Sequence, residues 1–133
     1  MATERTTINP WTWSVDFGYS QGAVVTGQPR TLYCAGQTAV DGDGKPQHAD
    51  DMAAQLALAA DNLEAVLREA DMSLGNLVRL NVYTTDVDRL FEHYGALAAR
   101  LGAAGAAPTM TLLGVSRLAL PDLMVEIEGT AVA

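Results

Sequence analysis

Two glutamates near the end of the chain have the spacing of a catalytic carboxylate pair. Glu126 and Glu128 are separated by a single isoleucine. On a β-strand such residues share one face and lie roughly 7 Å apart. Paired carboxylates can divide the roles of acid and base. The solvated face of an ordinary strand shows the same alternation, so the pair leaves both interpretations open.

The only cysteine offers a second candidate. Cys34 ends a β-rich run and is followed by Ala35, Gly36 and Gln37. Glycine lets a ligand or another chain approach the backbone closely, so this segment could form the wall of a small-molecule pocket. The alternative is that Cys34 is a small buried hydrophobe that closes the strand. A covalent or redox role would need a depressed thiol pKa, and no nearby cation in the sequence suggests one.

Other kinds of site find little support. His48 is predicted in a loop and His93 on a helix, and neither has companion ligands at helical spacing, so we expect no metal. The segment Gly42-Asp43-Gly44 lacks the helix start of a phosphate loop, and its acid would repel phosphate. We therefore expect no cofactor.

Composition limits the class of protein. The chain has 133 residues, 49% of them apolar, which predicts a single domain (1–133) with an extended N-terminal segment (1–15). Its net charge is −8, with only 8 scattered Lys and Arg, which disfavours nucleic acid as a partner. A single cysteine, no apolar run of about 20 residues and no signal-peptide layout predict a cytoplasmic protein without membrane contact.

The periodicity of apolar residues predicts an order of strands and helices. A hairpin turn at 27–30 should join the first two strands, and Asp50 or Asp51 and later Asp86 should cap the helices. The predicted elements are strands 22–26 and 31–36, a helix from 50 to about 71, a strand at 78–85, a helix from 87 to 101, and strands at 109–115 and 123–132.

Strands at both ends with two helices between them favour an α+β fold, in which both helices cover one face of a mixed sheet. Polar residues such as Asn81 and Glu126 and apolar ones such as Leu112 and Leu113 belong to the same sheet, so neither of its faces is uniformly polar, and one face has no helix to cover it. A face of this kind is typical of a surface buried against identical subunits. The sequence therefore predicts self-association.

Several segments, taken in order, resemble one family. They are Gly18-Tyr19-Ser20-Gln21, Cys34-Ala35-Gly36-Gln37, the Asn-Leu-x-x-Val block at 62–66, the 78–86 strand, Pro108 before a strand, and Val125-Glu126-Ile127-Glu128-Gly129-Thr130-Ala131-Val132. From about residue 16 to residue 132 the chain resembles the Rid family of reactive-intermediate deaminases, also called the YjgF or L-PSP family. The resemblance implies a chorismate-mutase-like α+β homotrimer with clefts between subunits. It also implies hydrolysis of enamines and imines, such as 2-aminoacrylate, to a keto acid and ammonia.

The resemblance also implies roles for individual residues. Tyr19 matches the tyrosine that closes the cleft, Glu126 matches the glutamate that positions water, and Cys34 matches the strand end that lines the pocket with Ala35 and Gly36. Met110 stands where the family carries the arginine that binds the substrate carboxylate, and Tyr94 stands where many active members have an asparagine. A methionine cannot form the bidentate pair that an arginine forms with a carboxylate.

Three hypotheses about function follow. The first is a hydrolase of imines or enamines whose substrate is neutral, bulkier or more apolar than 2-aminoacrylate, with water activated by Glu126. The second is a non-catalytic homotrimer that binds a small metabolite in the same clefts. The third is a covalent or redox role for Cys34. A ribonuclease activity fits poorly with a net charge of −8 and no catalytic histidine pair.

Overall fold

A mixed β-sheet covered on one face by helices forms the centre of the molecule. The computed structural model describes residues 3–27 and 30–133. Its strands are β1 (Glu4–Ile8), β2 (Gly22–Thr26), β3 (Thr31–Tyr33), β4 (Gln37–Thr38), β5 (Leu77–Thr84), β6 (Thr109–Gly114) and β7 (Val125–Val132). Its α-helices are α1 (Met52–Glu69), α2 (Val87–Phe91) and α3 (Tyr94–Ala103), and short 3₁₀ turns span Trp13–Phe17 and Leu74–Asn76.

The main sheet has the order β3-β7-β5-β6, with β4 also paired to β7. β7 runs antiparallel to β3, β4 and β5, whereas β5 and β6 are parallel because α2 and α3 connect them. The two longest strands, β5 and β7, therefore lie side by side in the middle of the sheet. This arrangement confirms the predicted α+β fold with a mixed sheet.

One face of the sheet supplies the core. Leu80, Val82 and Ile127 are fully buried there and pack with the apolar side of α1. α1 begins at its cap Asp51, whose carboxylate accepts a hydrogen bond from the Ala54 N–H at 3.0 Å. The alternate side chains of β5 and β7 point to the opposite face, called the open face below, which no helix of the described residues covers.

The prediction of one continuous helix from 87 to 101 is wrong. Asp86 caps its start as expected, but the structure divides it into α2 and α3. The His93 N–H bonds to the Leu90 carbonyl three residues earlier, so the turn tightens and the four-residue ladder stops. His93 thus lies at the junction between the helices, as the N-cap of α3, rather than inside a helix.

The predicted hairpin is also wrong. β2 pairs with β1 in a separate two-stranded antiparallel sheet, and β3 pairs with β7. Residues 28 and 29, half of the predicted turn, lie outside the described residues. β1 falls within the extended N-terminal segment that the sequence predicts at 1–15. No helix of the described chain is long and apolar enough to cross a membrane.

The predicted strand at 31–36 is interrupted by a bulge. Tyr33 lies opposite Thr130 and Gln37 opposite Ile127, so four steps on one strand match three on the other. The extra residue is accommodated at Ala35 and Gly36, which leave the ladder between β3 and β4. Bulges redirect the chain locally. This one brings the backbone of Gly36 against β7, where Glu126 lies.

Candidate functional site

The carboxylate of Glu126 lies on the open face of the sheet against the backbone of Gly36. A methyl group placed on Gly36 would come within 2.2 Å of Glu126 Oε2, so only glycine leaves room for the carboxylate in this position. Glu126 is half-buried, and this burial raises the pKa of its carboxyl group above the ordinary 4.5; Glu128 raises it further. A carboxylate with a raised pKa binds protons more strongly, as a general base must.

Glu128, on the same face, already accepts two hydrogen bonds from neighbouring side chains. Its Oε1 accepts hydrogen bonds from the hydroxyl of Tyr83 and from the amide of Asn81 at 3.2 Å. The bond to Glu128 is also the main cause that raises the pKa of the Tyr83 hydroxyl. The two glutamates therefore differ: Glu128 is tied into the sheet, whereas no hydrogen bond to the Glu126 carboxylate is found among the described residues.

Gly36→Ala should displace the Glu126 carboxylate while leaving the fold intact. The added methyl meets the end of a flexible side chain, which can rotate away, and the backbone of Gly36 is not in the left-handed region. Under the function proposed below, we expect a loss of at least tenfold in kcat/KM with little change in Tm. Gly42→Ala is the control, because nothing lies within 4 Å of its added methyl. Unchanged kcat/KM in Gly36→Ala would contradict this positioning.

The second feature is an aromatic cavity of about 260 Å³ on the helix side of the sheet edge. Three of its lining residues, Tyr19, Tyr94 and Met110, are ones that the sequence singled out. The others are Trp13, Phe17, Phe91 and Leu112. Every lining residue is thus aromatic or apolar, and the polar atoms are the tyrosine hydroxyls, the indole N–H and a thioether sulfur.

Local backbone geometry brings these residues together. Gly18 has a φ of +85°, which a residue with a side chain rarely adopts, and it ends the 3₁₀ turn so that Tyr19 turns toward the sheet. The Ser20 N–H then donates to the Pro108 carbonyl at 3.0 Å and anchors the segment beside β6. From the other side, the Tyr94 hydroxyl donates to the Phe17 carbonyl at 2.8 Å. The cavity is therefore fixed by backbone contacts on two sides.

The cavity and Glu126 belong to opposite faces of one chain. Met110 pairs with Leu80, which is buried on the helix side, whereas Glu126 pairs with Tyr83 on the open face. Paired residues of neighbouring strands share a face. A single chain thus brings Tyr19, Tyr94 and Met110 together, and separately Glu126 and Gly36, but it does not bring the two groups to one place.

Comparison with known proteins agrees with the fold. A family profile described as Endoribonuclease L-PSP matches residues 14–133. The chain belongs to the L-PSP family. A solved structure of YyfB from Yersinia pestis, a Rid-family protein of unknown function, has a TM-score of 0.84 and 37% identity, covering 97% of this chain and 98% of that one.

Two further relatives of this L-PSP family chain match shorter parts of it. The RutC family protein YjgH of Escherichia coli is 29% identical over 96 residues, 72% of each chain. The mitochondrial protein mmf2 of Schizosaccharomyces pombe is 41% identical over 58 residues. That match covers 43% of this chain and 44% of the yeast protein, so less than two thirds of its length is spanned. The Rid family is generally associated with imine deaminase activity, and some members are called endoribonucleases.

In this L-PSP family protein Cys34 lies in the core. Its N–H bonds to the Gly129 carbonyl at 2.8 Å, and its side chain packs with the buried residues of the helix side. Burial raises the pKa of the Cys34 thiol, the opposite of what a nucleophilic or redox cysteine requires. The geometry therefore favours the small buried hydrophobe over the reactive thiol. Ala35 and Gly36, which follow it, are exposed.

Sequence reasoning missed four residues of the cavity: Trp13, Phe17, Phe91 and Leu112. Trp13 and Phe17 lie in a 3₁₀ turn too short to show a helical period, and Phe91 falls within the segment 87–101 that the periodicity predicts as one continuous helix. The available signal was compositional, since both tryptophans of the chain lie within three residues of each other just before Phe17 and Tyr19. No group of three or more metal-binding side chains occurs in the described part of the chain.

Proposed function

We propose that this protein hydrolyses a reactive imine or enamine that carries no carboxylate, yielding a carbonyl compound and ammonia or an amine. Family membership supports a role in the deamination of reactive intermediates. The observation that carries the finer proposal is the Glu126 carboxylate, half-buried, raised in pKa and held against Gly36. The direct test is release of ammonia and carbonyl product from imines generated in solution.

In the proposed reaction, Glu126 accepts a proton from a bound water as the water oxygen adds to the imine carbon. The π electron pair of the C=N bond moves to nitrogen, which gives a carbinolamine. The proton held by Glu126 and the hydroxyl proton of the carbinolamine then pass to nitrogen, the C–N bond breaks, and ammonia or an amine leaves as the C=O bond forms. Imine and water are thereby converted to carbonyl compound and amine, with no oxidant or cofactor consumed. A positioned base of this kind contributes roughly a hundredfold to ten-thousandfold in rate.

The proposed substrate carries no carboxylate because the cavity has no cationic side chain to bind one. All eight Lys and Arg residues lie in the described part of the chain, and none lines the aromatic cavity. Several are engaged elsewhere: Arg89 pairs with Asp50 at 2.7 Å, and Arg79 donates to the hydroxyl of Thr111 at 2.6 Å. A substrate carboxylate in the cavity would lose its hydration without gaining an ionic partner, which is unfavourable.

A homotrimer would bring the two groups of residues together. Because the cavity and Glu126 lie on opposite faces of one chain, the proposed site joins the cavity of one subunit to the Glu126 carboxylate of the next. The exposed apolar side chains support this assembly, since three of them, Trp13, Phe17 and Phe91, line one cavity, and contiguous exposed apolar surface marks interaction sites. Those more than half exposed are Trp11, Trp13, Val15, Phe17, Val24, Tyr33 and Phe91.

Sedimentation velocity at micromolar concentration should therefore give about three times the chain mass of 14.0 kDa. Leu113→Glu should shift the protein toward smaller species, because Leu113 is half exposed on the open face and a charge buried there is costly. Ala99→Glu adds the same charge to the exposed side of α3 and should leave the mass unchanged. A stable monomer would remove both the trimer and the composite cleft.

The alternative is a non-catalytic homotrimer that binds a small metabolite in the same clefts. It is favoured by one observation: the cavity is apolar, and Met110 stands where the family carries the arginine that binds the substrate carboxylate. Ligand binding without turnover of any imine would support this alternative over the hydrolase. Ribonuclease activity, which the name of the family profile carries, would have to overcome a net charge of −8.

A further inference from the structure

The aromatic cavity is built like a cage. Its rings stand nearly perpendicular to one another: Trp13 and Tyr19 at 84°, Trp13 and Phe17 at 70°, and Phe91 and Tyr94 at 76°. The ring centroids of these pairs lie 6.0–6.4 Å apart. The rings of each pair contact each other edge to face, and all five of them line the cavity, so that a small group in the cavity meets aromatic surface on several sides.

The charge around this cage is negative or absent. No Lys or Arg of the described residues lines it. An adjoining hollow of about 400 Å³ shares Phe17, Phe91 and Tyr94 with the cage and also includes the carboxylate-bearing Asp16. The whole chain carries a net charge of −8. A cation approaching the cage is thus attracted at long range and meets no repelling group inside it.

Aromatic faces attract cations because of their quadrupole, and several rings around one site are the arrangement that recognises quaternary ammonium groups. The soft sulfur of Met110, 3.6 Å from the Tyr94 hydroxyl, adds a polarizable wall. We propose that the aromatic cage binds a small organic cation, and that the substrate of the hydrolysis is held there as its protonated iminium form.

An iminium is also the more electrophilic form of an imine, so the cage would hold the form that water attacks. As a statement about the substrate, this inference rests on the proposed function. As a statement about binding it does not, because it can be tested with a cation that cannot be hydrolysed.

The test compares choline with 3,3-dimethylbutan-1-ol, which has the same shape but carries no charge. Calorimetric titration of the full-length protein at constant ionic strength should give measurable choline binding and an affinity for the neutral analogue at least about threefold weaker. In ¹H–¹⁵N spectra the Trp13 indole signal should move on choline addition. The Trp11 indole, which does not line the cage, should not move.

Two variants sharpen the result. Trp13→Leu should weaken choline binding by roughly three- to thirtyfold, the range of a cation–π contact, whereas Trp11→Leu should leave it unchanged. Both tryptophans are more than half exposed, so the pair is matched for burial. Equal affinities for choline and the neutral analogue, or no choline binding by the wild type, would overturn the inference.

Turnover assays separate this inference from the proposed function. Choline binding by a protein that hydrolyses no imine would support cation binding by the cage and contradict the proposed hydrolase function. Imine hydrolysis without a preference for choline over its neutral analogue would support the proposed hydrolase function and contradict cation binding by the cage.

Discussion

Glu126→Gln is expected to slow imine hydrolysis by about a hundredfold or more. The amide keeps the shape of the side chain but cannot accept the proton of the attacking water. The assay is release of carbonyl product and ammonia above the uncatalysed rate. Glu128→Gln is the matched control on the same strand face, and it should change the rate little, because Glu128 is bonded to Tyr83 and Asn81.

The pH dependence of kcat/KM is a second test of the catalytic role of Glu126. Because burial and Glu128 raise the pKa of Glu126, the acidic limb of kcat/KM should lie above pH 4.5 in the wild type and disappear in Glu126→Gln. The raised pKa also means that ionisation of Glu126 costs folding stability as the pH rises through it. Glu126→Gln should therefore be at least as stable as the wild type at pH 7. Equal rates for the two proteins would contradict the catalytic assignment.

Met110→Arg should convert the cavity into one that holds a carboxylate. A charge-assisted hydrogen-bonded pair contributes about 1.5–3 kcal/mol, which corresponds to a gain of roughly ten- to a hundredfold in kcat/KM for 2-aminoacrylate. The substrate would be generated in the assay, because it is short-lived. Met110→Gln is the control, since it adds polarity at similar length without charge.

The wild type should hydrolyse 2-aminoacrylate weakly or not at all. Robust turnover by the wild type would mean that another group holds the carboxylate, and the interpretation of position 110 would be wrong. If Met110→Arg binds no better than Met110→Gln, the guanidinium does not reach the substrate.

Much of the fold could be predicted because local chemistry marked it. Asp51 and Asp86 cap helices with the short polar side chains that caps require, and β5 alternates buried and half-buried residues along its length. The errors lie where distant contacts decide. The partner of β2 is β1, not the next strand, and the junction at His93 depends on a single tightened turn. Neither the pairing of β1 with β2 nor the turn at His93 changes the periodicity of apolar residues in the sequence.

The site divides in the same way. Glu126, Tyr19, Tyr94 and Met110 could be picked out because a family pattern marks their positions. The contact between Gly36 and Glu126 could not, because it depends on a one-residue bulge that shifts the register between β3 and β4. The separation of Met110 and Glu126 onto opposite faces follows from strand pairing, which the sequence alone does not specify.

The proposed function is hydrolysis of imines that carry no carboxylate. The most direct measurement is steady-state ammonia release by the wild type from a panel of carboxylate-free N–H imines, generated in solution by oxidation of primary amines, beside 2-aminoacrylate. We expect at least one apolar or aromatic imine to be hydrolysed with a kcat/KM well above that for 2-aminoacrylate. A preference for 2-aminoacrylate, or no acceleration of any imine by a protein that still binds ligands, would contradict the account.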